Sequence, residues 1–320
     1  MELNATTIPG LLTAFNASFS AGYQKLVADK SWDKVAMGVT SSTRSQTYPW
    51  MDKVPALAEW LGSRTASNLE TRYQIVQNRR YTSSLMLDRT LIEDDQFGVY
   101  APVFEGLGIA AAKWPDIIVA DALIHGTDST YGLAPDGAYF FSASHPQDPN
   151  QSASPTQSNL YTGRALTPAN YGYVRSQMRS LKGADGQPLG IKPTKLIVPP
   201  SLEPMARQIL MSDQIASQYL TDSTNAQVGG QTNIYKGTAD LVVYDELTNG
   251  SGDTPGAWYL SDDSKPVKGL VWQTRIAPQI IPRFNPADPS VYENDQLQIG
   301  VYARGAPGYL IWQCIAKCTP

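Results

Sequence analysis

Residues 43–88 constrain the fold most. A polar run from Thr43 to Tyr48 leads into Pro49-Trp50-Met51 and a short helical stretch from Ala56 to Gly62. Tyr73, Ile75, Leu85 and Leu87 then alternate with polar residues on either side of Gln77-Asn78-Arg79-Arg80. Period-two alternation around a polar, asparagine-containing turn predicts a β-hairpin. So long a stretch with so few apolar side chains cannot bury a core of its own, because ordering it costs more than its burial returns. It is expected to project from the body and to find partners elsewhere. Arg79 and Arg80, beside Tyr73 and Tyr81, fall at the expected turn, and two arginines make a weak nucleic-acid platform.

The rest of the chain carries stronger periodicity. Leu11, Phe15, Phe19, Tyr23 and Leu26 form one apolar stripe, which predicts a helix over 8–27 that must bury that stripe on its own body or on a neighbouring copy. Over 94–125, Val103, Leu107, Ala110 and Trp114 repeat at helical spacing behind Asp94-Asp95, and Pro115 is expected to kink or restart the helix, with Asp116 in a fresh first turn. Residues 126–165 read as a long loop. Thr167 and Pro168 then open a helix with Tyr171, Val174, Met178 and Leu181 inward. Lys195–Val198 reads as a buried strand, Ser201 as the cap of a helix burying Leu202, Met205 and Ile209, and 239–244, 256–261 and 268–276 as strands of an α+β unit. A last hairpin, from Leu297 to Ala316, is expected to turn at Gly305-Ala306-Pro307-Gly308 and to return the chain to the first body.

Composition narrows the function classes. With 320 residues and 42% hydrophobic content the chain is long enough for a core without disulfides or metals. Only 17% of residues are charged, against roughly a quarter in an ordinary soluble chain, and a charge-poor surface favours self-association. A net charge of −4 with no basic block is not the footprint of a nucleic-acid reader. The N-terminus has no secretory pattern, and the longest apolar stretches fall short of the ~20 residues of a membrane helix. Met1 followed at once by the helical stripe is expected to leave no room for a fused scaffold. Cys314 and Cys318, in a run read as a strand, lie too far apart along it to bridge and read as core or edge thiols.

Chemistry is scarce. Gly106-Leu107-Gly108-Ile109-Ala110-Ala111 fits G-x-G-x-x-A, but it lies inside a helix whose N–H groups are already used, so close packing explains it better than a dinucleotide. His145, in Ser142-Ala143-Ser144-His145-Pro146, could pair with a serine as a hydrolase, yet no local pattern supplies the orienting carboxylate or oxyanion donors. Glu93-Asp94-Asp95 is explained by a helix start. No catalytic, cofactor-binding or metal-binding residue is assigned, and no cofactor is expected.

Ser41-Ser42-Thr43-Arg44-Ser45, Thr47-Tyr48-Pro49-Trp50, Glu59-Trp60-Leu61-Gly62 and Asp88-Arg89 with Ile92-Glu93-Asp94-Asp95 resemble the major head subunit of Mu-like bacteriophages. So do Gly98 to Phe104, Pro188 to Pro193, Leu196 to Pro200, and Ala303-Arg304-Gly305 with Gly308-Tyr309, in order along residues 8–318. The resemblance implies an α+β chain with the tailed-phage major capsid fold of the Hong Kong ninety-seven type. Its parts would be an N-terminal arm (1–42), an extended hairpin loop (43–88), a peripheral domain with a spine helix (89–165), an inserted axial domain (166–283) and a return to the peripheral domain (284–320).

The resemblance also implies a structural subunit, not an enzyme. Hexamers and pentamers of it would close an icosahedral head around double-stranded DNA, assembled in the bacterial host cytoplasm. Partners would be copies of itself, scaffold and protease, portal and decoration proteins, and DNA held non-specifically, with no membrane. Phe15, Phe19, Trp50, Lys53, Trp60, Arg79 and Arg80 are the residues expected at contacts between subunits. In some shells of this fold a loop lysine crosslinks to an asparagine of a neighbour, and Lys53 stands loosely at such a place, but the Mu-like pattern does not imply the crosslink and none is expected. The rival readings are another shell or tail component, and a serine hydrolase using His145.

Overall fold

The computed structural model describes residues 8–27, 30–51, 71–88, 90, 92, 94, 98, 100–151, 153–216, 230–248, 256–283, 288 and 293–320. Its helices are α1 (Ile8–Val27), α2 (Tyr100–Ile124), α3 (Pro168–Arg179) and α4 (Glu203–Met211). The first strands are β1 (Ala36–Thr40), β2 (Ser45–Met51), β3 (Thr71–Gln77), β4 (Arg79–Asp88), β5 (His145–Pro146), β6 (Thr156–Gln157) and β7 (Leu160–Tyr161). They are followed by β8 (Lys195–Val198), β9 (Gln214–Ala216), β10 (Gly230–Thr232), β11 (Asp240–Val243), β12 (Trp258–Ser261), β13 (Leu270–Arg283), β14 (Gln296–Tyr309) and β15 (Ile315–Cys318).

Two sheets carry the body. One has the order β1-β13-β14-β4, with β1 parallel to β13 and the other pairs antiparallel. Along β14 the odd positions Leu297, Ile299, Val301 and Ala303 are buried, so one face of this sheet is apolar. Helix α2 covers that face, and Trp114 meets Trp272 edge to face at 4.9 Å. Helix α1 packs on α2 in turn, as its stripe requires. The approach is close: a Cβ on Gly22 would stand 2.1 Å from the Glu105 carbonyl oxygen, and one on Gly108 2.1 Å from that of Phe19. Gly108, from the G-x-G-x-x-A match, therefore serves helix packing.

The second sheet has the order β11-β8-β12-β15-β7. Its Leu196, Val198, Trp258, Leu260, Ala316 and Cys318 form a core with Tyr171, Val174 and Met178 of α3 and Ala206, Ile209 and Leu210 of α4. Thr167 caps α3, its hydroxyl accepting the Asn170 N–H at 3.2 Å, and Pro168 takes the first turn, as the sequence predicts. The fourth and fifth strands in that order come from 315–318 and 160–161, so segments distant in sequence complete the sheet.

Several expectations are corrected. Strands β3 and β4 do not form a hairpin around 77–80: β3 pairs with β2, β4 pairs with β14, and the chain runs on through Asn78 from an outlying ribbon into the main sheet. The turn expected at 305–308 is also absent, because β14 runs straight through it. Gly305 and Gly308 are there for space: a Cβ at Gly308 would stand 2.4 Å from Val76 Cγ2, and one at Gly305 2.6 Å from the Gln273 carbonyl oxygen. The chain turns later, at Trp312–Cys314, before β15. Helix α2 starts after Gly98, at φ +64°, and continues across Pro115, so Asp116 is mid-helix and buried. Ser201 lies in a 3-10 turn and does not cap α4. Strand β13 runs seven residues beyond the expected 276.

Candidate functional site

Among the described residues, the outlying ribbon of β2 and β3 is held to the body chiefly at its base. Val76 is buried against Val271, Ala306 and Leu310. Beneath it Gln273, fully buried, donates from Nε2 to Asn78 Oδ1 (2.7 Å) and accepts the Tyr48 hydroxyl (2.9 Å). Asn78 Nδ2 donates to the Thr43 carbonyl (2.9 Å) and Ser41 Oγ (3.2 Å). Burial pushes the Tyr48 phenol up to about 12, which keeps it a donor. Gln74 reaches the Leu133 carbonyl at 2.9 Å. On the other face of β3, Tyr73 is 62% and Ile75 64% exposed.

The residues expected at subunit contacts fall into different places. Phe15 and Phe19 are buried inside the chain, each 6% exposed; Phe15 stacks on Phe104, so their apolar surface is spent on α2 within the subunit. The backbone of Trp50 lies opposite Arg72 in the ribbon. Lys53 and Trp60 lie outside the described residues. Arg79 does not reach a tip: its Nη2 donates to the Thr130 carbonyl at 2.7 Å and its guanidinium sits 4.7 Å from the centre of the Tyr131 ring. Arg80 is exposed on the opposite face of β4.

His145 is occupied structurally. Its ring, fully buried, stacks on Trp312 at 4.0 Å and 5° from parallel. Nδ1 is 2.6 Å from Asp136 Oδ2 and Nε2 is 3.1 Å from Asn159 Oδ1. The Asn159 amide nitrogen donates to the carbonyls of Phe140, Trp312 and Ile315, which fixes Oδ1 as an acceptor, so His145 Nε2 donates to it. This geometry gives the hydrolase reading no support, for the nitrogen a serine would need is already committed. Cys314 and Cys318 are free and buried, and burial holds the Cys314 thiol at about 12, far from a reactive thiolate.

Two buried charges escaped the sequence reading. Asp116 Oδ1 accepts the backbone N–H groups of Ser31 (3.0 Å) and Trp32 (2.7 Å), tying the link after α1 to the middle of α2. Burial raises its carboxyl to about 6 against the pull of those two N–H groups, with Glu246 and Asp33 adding to the rise. Lys317, 3% exposed, donates to the Ile124 carbonyl at 2.7 Å, at the C-terminal end of α2, and lies 5.9 Å from the ring centres of Phe141 and Tyr259. A lone lysine between Ala316 and Cys318 was its only signal. Among the described residues no three His, Cys, Asp or Glu gather to hold a metal, and no helix is long and apolar enough to cross a membrane.

The model of the family described as Mu-like prophage major head subunit gpT matches residues 8–165, 160–247 and 244–319. The major capsid protein of Escherichia phage Mu is 28% identical, covering 77% of this chain and all of that protein. The Mu-like prophage FluMu major head subunit of Haemophilus influenzae is 34% identical over 55% of this chain and 56% of that one. Among solved structures, the procapsid of bacteriophage JBD30 superposes with a TM-score of 0.54 at 23% identity, covering 99% of this chain and 76% of its own. The capsid of the native GTA particle gives 0.55 at 10% identity, covering 90% and 89%. At such identities the likeness shows the fold, and it is the phage capsid fold of the Hong Kong ninety-seven type.

Proposed function

This chain belongs to the Mu-like prophage major head subunit family, gpT, and from that premise we propose how its fold does a major capsid protein's work. Copies join into hexamers and pentamers of an icosahedral head, formed in the host cytoplasm, that encloses double-stranded DNA. The arm is 1–42, the extended loop 43–88, the peripheral part 89–165 with 284–320, and the axial part 166–283, except that β4 and β13 belong to the sheet of β14 while β7 and β15 complete the other sheet. The subunit acts by contact, not by catalysis, which the committed ring of His145 supports.

One observation carries the reading. The ribbon of β2 and β3 turns Tyr73 and Ile75 largely to solvent, and among its described side chains only Val76, at the base, is buried. A two-stranded ribbon is marginal alone in water, so its apolar face gains most by lying on another copy, with Trp50, Lys53 and Trp60 carried on the same loop. Each such contact is modest, and a closed shell multiplies it as avidity. The interior holds DNA without gripping it, in keeping with a chain of net charge −4. Scaffold, protease, portal and decoration proteins act from outside the subunit.

Electron microscopy of the chain expressed with and without its neighbouring gene products tests this, with hydrogen exchange on residues 45–51 and 71–77. Closed particles are expected, and protection of the ribbon that appears only on assembly. Dispersed single copies under every condition, or a ribbon already protected in the monomer, would refute it.

A further inference from the structure

The sheet β13–β14–β4 carries opposite charges at its two ends. Arg304 stands directly opposite Arg80 on the neighbouring strand, and Arg275 is the extra residue where the register of β13 shifts between Thr274 and Ile276. Arg44 joins them through its carbonyl, which accepts the N–H of Asn78 next to β4. Among the described residues none of Arg44, Arg80, Arg275 and Arg304 has an ion-pair partner, and Arg304 Nε is buried without a hydrogen bond. Like charges directly opposite each other weaken a strand pair. An anion from outside would remove that cost.

The other end of the same strands is acidic. Gln296 pairs with Asp88, so Glu293 and Asp295 arrive beside it. Asp94 is held there too, its N–H donating to the Thr90 carbonyl while the Thr90 N–H donates to Asp88. All four carboxylates belong to exposed residues. Asp88 and Asp295 are already engaged, so Asp94 and Glu293 are the carboxylates on offer, with Arg283, opposite Gln298, the nearest basic residue along the described strands. Arg80 and Asp88 are eight residues apart on β4, about 26 Å. One subunit cannot bring the two ends together, but a rotated copy can.

We propose that the arginine end of this sheet in one subunit docks on the carboxylate end of the same sheet in the next, head to tail. The partner is a second copy of this chain, and the inference rests on the self-assembly reading above. A head-to-tail contact between unlike patches is heterologous and closes into rings when its rotation allows. A nucleic acid strand would satisfy the arginines and be repelled by the acidic end. Charge complementarity of this kind sets register and excludes wrong partners more than it adds raw affinity.

Charge exchange tests it. Arg44→Glu with Arg80→Glu, both at exposed positions, is expected to cut particle yield on the order of tenfold while the monomer's melting temperature does not fall, since the glutamate at position 80 would face Arg304 as an opposite charge. Asp94→Arg with Glu293→Arg should do likewise, and the four substitutions together should restore particles. Full yield from the arginine variant overturns the proposal. If those particles also hold less DNA, the arginines serve the genome instead. A fourfold variant that melts like the parent yet assembles no better than either pair also overturns it. A parent chain that never forms particles sinks the self-assembly reading first, and this inference with it.

Discussion

The ring of Phe15 lies on the ring of Phe104, centroids 3.8 Å apart and planes 23° from parallel. Phe104 is fully buried beneath α1, and Leu87, Ile92, Leu297 and Ile299 complete the cluster. This stack is the main apolar tie between α1 and the body near the helix's start. Phe15→Ala is expected to cost about 3–5 kcal/mol, the usual loss for a buried aromatic. Because α1 is held chiefly by its packing on α2, the loss should be felt locally. Hydrogen exchange should speed up over residues 8–27 while α3 and its sheet keep their protection. Uniform loss of protection would show that α1 and the rest unfold as one unit.

Asp116 gives the unassembled chain a pH dependence of unusual sign. Its folded carboxyl titrates at about 6, above the ordinary 3.8, chiefly because it is buried. Between those values the folded state holds a proton that the unfolded state has released. Stability from this group therefore falls as pH rises from about 4 to 6 and is level above. Asp116→Asn keeps an oxygen for the N–H groups of Ser31 and Trp32 and removes the charge. The variant should melt higher than the parent at pH 7, by on the order of 1 kcal/mol, and show no gain near pH 4. Melting curves at the two pH values check it, and a variant less stable at neutral pH would contradict it.

Gly308 controls the seat of the extended ribbon. A methyl there would stand 2.4 Å from Val76 Cγ2 and 3.0 Å from Val271 Cγ1. Gly308→Ala should cost about 1–3 kcal/mol through overpacking, with faster exchange at the amides of Val76 and Asn78. Adding Val76→Ala makes room for the methyl, so the double variant should recover part of the loss. A double variant whose cost is the simple sum would show that the two positions do not couple.

How far the sequence disclosed the fold depends on how each signal arises. The 3.6-residue stripe of 8–27 and the cap-and-proline start at Thr167-Pro168 are local properties, and both helices form at those positions. The apolar run of Lys195–Val198 against its flanking prolines was equally legible. Strand partners were not. Nothing near Gln77-Asn78 records that β3 belongs to β2 and β4 to β14, because those partners lie far away in the chain. Gly-Ala-Pro-Gly at 305–308 reads as a turn by residue type, yet its glycines answer to Val76 and Gln273, which only the folded chain brings near. The same holds at the candidate contacts. Phe15 and Phe19 were visible as apolar, but the choice between own body and neighbour was made by Gly22 and Gly108.

His145 is one half of a buried hydrogen-bonded pair. Asp136, its partner at 2.6 Å, has a side chain only 3% exposed, and the imidazole also carries the stack on Trp312. His145→Ala removes ring and partner together and leaves Asp136 Oδ2 without its partner, while Oδ1 keeps the N–H of Ala138. Breaking a buried pair from one side costs about 3–5 kcal/mol, so melting at neutral pH should drop by several degrees. If the stranded charge is the cause, Asp136→Asn added to His145→Ala must restore part of the stability, since it removes the charge but none of the lost packing. If instead the stack on Trp312 carries the effect, the second substitution brings nothing back. Thermal denaturation of both variants, with particle formation measured alongside, separates the two. Recovery of particles together with stability would place this cluster among the supports of the subunit.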